Sequence, residues 1–219
     1  WQTMIDKDFA RAYDVFFPAI TDPVVVDFLS KKAAQYKMAN PKNTPELIKE
    51  NIDFGICQGI YEALKKSQSR GNFGMTQEAC TAAAVALDTD YPMINRFTGK
   101  VSATTTEILE FMFRTGTQTT TLTTGMNTLK IFVDDVNRDG LGSEVGPGYN
   151  VIWLANNVKV AEMLKNYPNQ VGIDLYQIPR FAKMFASFVP MTMTNRYTIA
   201  QGDSGATASV GLVGSFDTM

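Results

Sequence analysis

Residues 134–142 read DDVNRDGLG, in which Asp135, Asn137 and Asp139 alternate along the chain ahead of Gly140. Alternating oxygen donors closed by a glycine form the front half of a calcium-binding loop. Such a loop takes ligands at positions 1, 3 and 5, Gly at 6, a backbone carbonyl at 7 and a bidentate acid at 12. Counted from Asp135, Leu141 supplies the carbonyl, but position 12 is Gly146. Glu144 stands two residues early and serves only in a loop of another shape. The flanks, IFV before and EVGPGYN after, lack the helices of an EF-hand. The segment therefore reads first as a solvated turn between strands. A looser calcium site made from Asp135, Asn137, Asp139 and Glu144 is the alternative.

Other reactive groups are sparse. The chain has no histidine, which removes Ser-His-Asp and Cys-His catalysis, His-ligated zinc and the usual general base near neutral pH. Cys57 and Cys80 lie in GICQG and QEACTAAA, contexts that read as helix interior, where a free thiol acts as a small buried hydrophobe. They pair only in an oxidising compartment. Glu107 and Glu110 are the obvious candidate for the carboxylate pair of a histidine-independent hydrolase. In a strand, however, positions three apart point to opposite faces. No nucleotide-binding glycine loop and no G-x-S-x-G elbow occur, and GDSGA at 202–206 sits in a hairpin-turn context. No catalytic, cofactor-binding or metal-binding residue is assigned, and the chain is expected not to be an enzyme.

The 219 residues are 45% hydrophobic and 11% aromatic, enough to bury roughly 70% of the unfolded surface without metal or disulfide. Charged residues make up 19%, below the roughly 25% of ordinary globular domains. Thr, Asn, Gln and Ser fill in, a composition that favours an assembly subunit over a free monomer. A net charge of −2, with Lys31–Lys32 and Lys65–Lys66 the closest basic groupings, argues against sequence-specific nucleic-acid binding. No run approaches the roughly 18 apolar residues of a membrane span. No signal peptide is visible, and the start at Trp1 rather than Met reads as processed or trimmed.

The elements follow from periodicity and punctuation. DFARAYDVFFPAI puts Phe9, Tyr13 and Phe16–Phe17 on one helical face before Pro18 breaks the run. TDPVVVDFLSKKAAQYKM follows, with Thr21 or Asp22 as cap and Pro23 in the first turn. TPELIKENIDFGICQGIYEALKKSQSRG is capped by Thr44, ends at Gly71, and carries Gly55 and Gly59 one turn apart, as tight internal packing requires. MTQEACTAAAVALDTDYP makes a fourth helix, capped by Thr76.

Beyond about residue 100 the pattern alternates. TTEILEFMFR, NTLKIFVDDV and GYNVIWLA read as strands, Asn156 caps a short helix over NVKVAEMLKNY, and PRFAKMFASFVP is another short helix. MTMTNRYTIA and ATASVGLVGSF read as a C-terminal hairpin about QGDSG. The threonine tract RTGTQTTTLTTGMNT (114–128) aligns Thr115, Thr117, Thr119, Thr121 and Thr123 on one face of an extended arm hinged at Gly116 and Gly125. Such an arm presents strand edges that assembling subunits use.

The expected fold is therefore α+β: a helical region, 1–96, followed by a β-rich, mostly antiparallel region, 97–219, with two short helices and a C-terminal hairpin. FTGKVSATTT (97–106) is the boundary inside one composite domain. The expected function is a structural assembly subunit of the virion, tail or sheath kind. It would act through copies of itself or other structural subunits in a virion or extracellular assembly. An exported binding domain with a calcium-stabilised loop at 135–144 is the alternative, and a carboxylate hydrolase comes third.

Overall fold

Beyond the threonine tract, where strands are expected, the chain winds into helices instead. The computed structural model describes residues 2–116, 126–144, 146–165, 167–168, 171–193 and 197–201. The order is α1 (Gln2–Phe16), a 3-10 turn (Phe17–Thr21), α2 (Pro23–Gln35), and α3 (Pro45–Ile52) running through a π turn (Asp53–Cys57) into α4 (Gln58–Lys65). Then come α5 (Met75–Leu87), α6 (Thr105–Glu110) with a π turn (Phe111–Thr115), α7 (Thr128–Asp134), α8 (Pro147–Lys165), a 3-10 turn (Leu175–Gln177) and α9 (Pro179–Ala186). Among the described residues the only sheet is a two-stranded antiparallel pair, β1 (Thr192–Met193) with β2 (Tyr197–Thr198). The α+β expectation is wrong: the described chain is mostly helical.

The reason is visible in the burial pattern. In TTEILEFMFR the buried residues are Thr105, Ile108, Leu109, Met112 and Phe113, spaced i, i+3, i+4, i+7, i+8 as on a helix face. NTLKIFVDDV buries Thr128, Ile131, Phe132 and Val136 and turns Val133 outward. GYNVIWLA and NVKVAEMLK join in one unbroken helix, α8, burying Asn150, Trp153, Leu154, Asn156, Asn157, Val158, Val160, Ala161 and Leu164. Asn156 is not a cap; its side-chain amide donates to Ile152 O one turn back (2.6 Å). Each segment satisfies both a two-residue and a 3.6-residue period over a short window, and tertiary packing selected the longer one.

Local signals did mark some ends. Asp22 caps α2 by accepting from Val24 N (2.8 Å), and Thr44 caps α3 by accepting from Leu47 N (3.3 Å). Thr104 and Glu107 form a reciprocal capping box at α6: Glu107 N donates to Thr104 Oγ1, and Thr104 N donates to Glu107 Oε2. Two expected ends move. Gly74, at φ +91°, precedes α5 in place of Thr76, with its N–H donating to Gln77 Oε1 (2.8 Å). The helix of residues 45–65 ends near Ser67, which adopts φ +54°, well before Gly71. Gly71 is needed instead for close approach, because a Cβ there would lie 2.6 Å from Thr3 Oγ1.

The Ala-rich α5 is buried almost all round and packs against α1, α8, α4 and α6. Small side chains there let two helices approach from opposite sides. One contiguous core runs from Ala10 to Met191, so it draws on both sides of segment 97–106. Its aromatic centre is a chain of edge-on rings: Trp153 on Phe73 (5.2 Å), Phe73 on Phe132 (5.2 Å), Phe132 on Phe181 (5.8 Å) and Phe181 on Phe185 (5.3 Å).

Candidate interaction surface

Helix α1 is held to the body by polar groups on its inner side. Its buried positions are Thr3, Asp6, Ala10 and Tyr13. Lys7 Nζ and Arg11 Nη2 reach the fully buried Glu78 carboxylate of α5 at 3.0 and 2.6 Å, and Lys159 of α8 approaches it at 3.8 Å. Ser69 Oγ donates to Asp6 (2.5 Å), and Tyr13 Oη donates to Asp53 (2.8 Å). A lone buried carboxylate is prohibitively costly, so the two close cations on α1 fix both its depth and its rotation.

That rotation decides which face stays outside. The apolar stripe expected around Phe9, Tyr13 and Phe16–Phe17 is split: Tyr13 faces inward, while Phe9 is 57% and Phe16 67% exposed. Met4, Ile5, Val15 and Phe17 are exposed with them. Helix α2 buries only Ala33 completely, leaving Val24 at 76% and Phe28 at 57% exposure. Isolated exposed apolar residues are ordinary; here large ones recur along two successive helices.

The π turn at Asp53–Cys57 carries a second group of polar residues. Burial raises the Asp53 carboxyl pKa, against the opposing pull of Lys49 (2.6 Å) and the Tyr13 hydroxyl. Burial, then the nearby Asp53 charge, pushes the Cys57 thiol up to about 12, and burial alone raises the Cys80 thiol. Both cysteines are free and buried; kept protonated, they are poor nucleophiles. Ionising Asp53 costs more in the folded chain than in the unfolded one. Its contribution to stability is therefore fully present below the ordinary carboxylate value and is lost as pH rises through the raised value. In urea titrations from pH 3.8 to neutrality, the parent chain is expected to lose stability relative to Asp53→Asn as pH rises. A level or growing advantage would refute this assignment.

Gly55 and Gly59 are not sites of tight packing. A Cβ at Gly55 would meet nothing within 4 Å, and one at Gly59 would meet only Phe54 O at 3.8 Å. Both line an open cleft of about 680 Å³ with Met38, Phe54, Phe97 and Val101. Gly55→Ala is accordingly expected to raise stability by about 0.5–1 kcal/mol, read as a higher denaturation midpoint, because it restricts the unfolded chain without a clash. A loss of stability would mean that the cleft closes in solution.

Residues singled out by their chemistry are mostly engaged in structure. Asp139 accepts from Leu141 N (3.1 Å), Asn137 N donates to Leu141 O (2.7 Å), and an isolated bridge joins Val136 to Gly142. Gly140 has φ +97°, and a Cβ there would collide with the Lys183 backbone of α9. Glu144 Oε2 accepts from Trp153 Nε1 (2.8 Å) and Asn72 Nδ2 (3.3 Å). The turn is thus shaped to seat on α8 and α9, and Asn137 and Asp139 are exposed. Among the described residues no group of three or more His, Cys, Asp or Glu side chains could hold a metal ion.

Glu107 and Glu110, being helical, share a face and border one shallow depression, which overturns the strand-spacing objection to them. Glu107 is nonetheless committed to the capping box and Glu110 to an ion pair with Arg114. The ends of the threonine tract are helical rather than extended, since Thr115 closes a π turn and Thr128 opens α7. Asn127 Nδ2 donates to Arg114 O (2.6 Å), pinning those ends together. Thr117, Thr119, Thr121, Thr123 and Gly125 lie outside the described residues, as do GDSGA and the C-terminal ATASVGLVGSF.

The Glu78 network and the exposed α1–α2 row both escape a reading of sequence alone. The single available signal was Lys7-x-x-x-Arg11 on a helix whose third face is apolar. Among the described residues no helix is long and apolar enough to cross a membrane. Compared with family models, with the curated proteins and with the solved structures, the chain matches none.

Proposed function

We propose that this chain is a structural assembly subunit, of the virion, tail or sheath kind, which associates through the outward face of α1 and α2. The observation that carries the reading is the unpartnered row Ile5, Phe9, Phe16, Val24 and Phe28, each more than half exposed. Burying such a row on a partner removes it from water at about 25 cal/mol per Å², the ordinary driving force of association. The low charge content supports the same reading. A non-catalytic role is supported by the engagement of Glu107, Glu110 and Glu144 in the fold.

Light scattering and sedimentation across a wide concentration range test the proposal. The parent chain is expected to associate, and Phe9→Glu with Phe28→Glu to return it to monomer with its helical content unchanged. A strict monomer at every concentration would overturn the proposal.

A further inference from the structure

We infer that the cleft over Gly55 and Gly59 is a binding site for a small aromatic anion of the aryl carboxylate kind. The inference is independent of the assembly contact, which uses other helix faces. Its first support is a floor that the fold does not explain. Glycine inside a helix is destabilising relative to alanine. Yet Gly55 and Gly59, one turn apart, adopt no positive φ, and a Cβ on either would meet no side chain. Neither backbone shape nor packing calls for glycine there; the bare positions give the cleft its depth. Gly55 also lies in the π turn Asp53–Cys57, a distortion that helices frequently carry at functional sites.

Another wall is the turn at 93–102, closed by the Ile94–Val101 bridge and by Asn95 N donating to Lys100 O (2.8 Å). Both ends of this turn are tied to the helix that carries the glycines. Arg96 N donates to Glu50 Oε1 (2.8 Å), and the Arg96 guanidinium pairs with the same carboxylate (3.0 Å). Gln58 exchanges two hydrogen bonds with the Ala103 backbone (2.9 and 3.0 Å). The cleft of about 680 Å³ is therefore pre-formed, and its size is that of small-molecule sites.

One polar group in this wall lacks a partner. Asn95 lines the cleft and is only 8% exposed; its Oδ1 accepts from Phe97 N, Thr98 N and Thr98 Oγ1. Those donors fix the orientation of the amide, and Nδ2 donates to nothing among the described residues. A buried N–H left this way is costly, and an acceptor on a ligand removes the cost. Across the turn, Lys100 is exposed with no ionic partner among the described residues. The one acid among the described lining residues, Glu62, is held by Lys65 and Lys66 at 3.5 Å each. A donor beside a free cation selects a negative group. Phe54 and Phe97 line the same cleft and offer aromatic surface, and the glycine floor admits a flat ring.

Amide NMR titration with naphthoate tests the site. Naphthalenemethanol supplies the ring without the charge, and cyclohexanecarboxylate the charge without the aromatic face. Naphthoate is expected to bind tightest and to shift the amides of residues 54–59 and 95–101. Gly55→Ala and Gly55→Leu are expected to weaken it progressively, about tenfold for leucine, although the alanine variant is no less stable than the parent. Asn95→Asp keeps the acceptor that shapes the turn but replaces Nδ2 by a negative oxygen. It is expected to abolish naphthoate binding and to affect naphthalenemethanol little.

Equal binding of naphthoate and naphthalenemethanol would overturn the anion assignment, and equal binding of naphthoate and cyclohexanecarboxylate the aromatic one. No shift at the cleft with millimolar naphthoate, shifts confined to α1 and α2, or full binding by Gly55→Leu would overturn the site itself.

Discussion

Replacing Glu78 with alanine is expected to lower the unfolding free energy by about 3–5 kcal/mol, the cost of breaking a buried charge set from one side. The carboxylate is fully buried and Lys7 is only 13% exposed, so the lysine is left without its counter-charge in a poorly solvated place. Arg11, at 40% exposure, can turn to water, as can Lys159. The loss therefore falls mainly on Lys7. This yields a second, sharper expectation: Lys7→Met with Glu78→Met destabilises less than Glu78→Ala alone, because it removes the stranded cation along with its partner. Urea unfolding of the three proteins at neutral pH checks both statements. A change within about 1 kcal/mol for Glu78→Ala would place the carboxylate in water and detach α1 from its assigned rotation.

Replacing Trp153 with alanine is expected to cost about 3–5 kcal/mol by opening a cavity in the aromatic centre. The ring is fully buried, stacks edge-on against Phe73 at 5.2 Å, and lies so close under the 135–144 turn that a Cβ on Gly142 would meet it at 2.5 Å. Trp153→Phe separates two contributions. It retains most of the packing but removes the Nε1–H that Glu144 accepts, while the bond from Asn72 stays. A loss of about 1–3 kcal/mol is expected for the phenylalanine variant, the penalty of a partly buried acceptor deprived of a partner. Equal losses for the two variants would make the hydrogen bond, not the ring volume, the main contribution. Hydrogen exchange of the 135–144 amides adds an independent readout, since both variants are expected to speed it if the turn is held by this residue.

The outward face of α1 is linked to Glu78 by geometry. Lys7 and Arg11 lie one turn apart, on the side that also carries Thr3, Asp6 and Ala10. Once both are drawn to a single carboxylate on α5, Ile5, Phe9 and Phe16 are turned to the opposite side.

Several elements were legible in the residues themselves. Pro18, Asp22-Pro23 and Thr44-Pro45 mark helix ends by local chemistry, with a fixed φ or a side chain that accepts from a free amide, so their meaning does not depend on distant contacts. The same kind of signal, Thr104-x-x-Glu107, lies at the start of a segment read as a strand from its alternation, and the structure shows it acting as a capping box. Periodicity was the weaker signal over NTLKIFVDDV and GYNVIWLA. Both are too short and too rich in β-branched residues to separate two periods, and the decision belonged to the neighbours that cover them.

What the sequence by itself determined is the exclusion of histidine-dependent catalysis and His-ligated zinc, the helical N-terminal region and two of its caps, Asp22 and Thr44. It also supplied the turn within 134–142, though the structure sets it between helices rather than strands and gives Gly140 its positive φ. Tertiary structure alone decided that the region after residue 100 is helical and that Gly55 and Gly59 face an open cleft. It also spent Glu144 on Trp153 and turned the phenylalanines of α1 to solvent. Each of these depends on partners distant in the chain, such as Glu78 for Lys7 and Lys183 for Gly140. Burial and ion pairing are properties of that assembled neighbourhood, which no local spacing encodes.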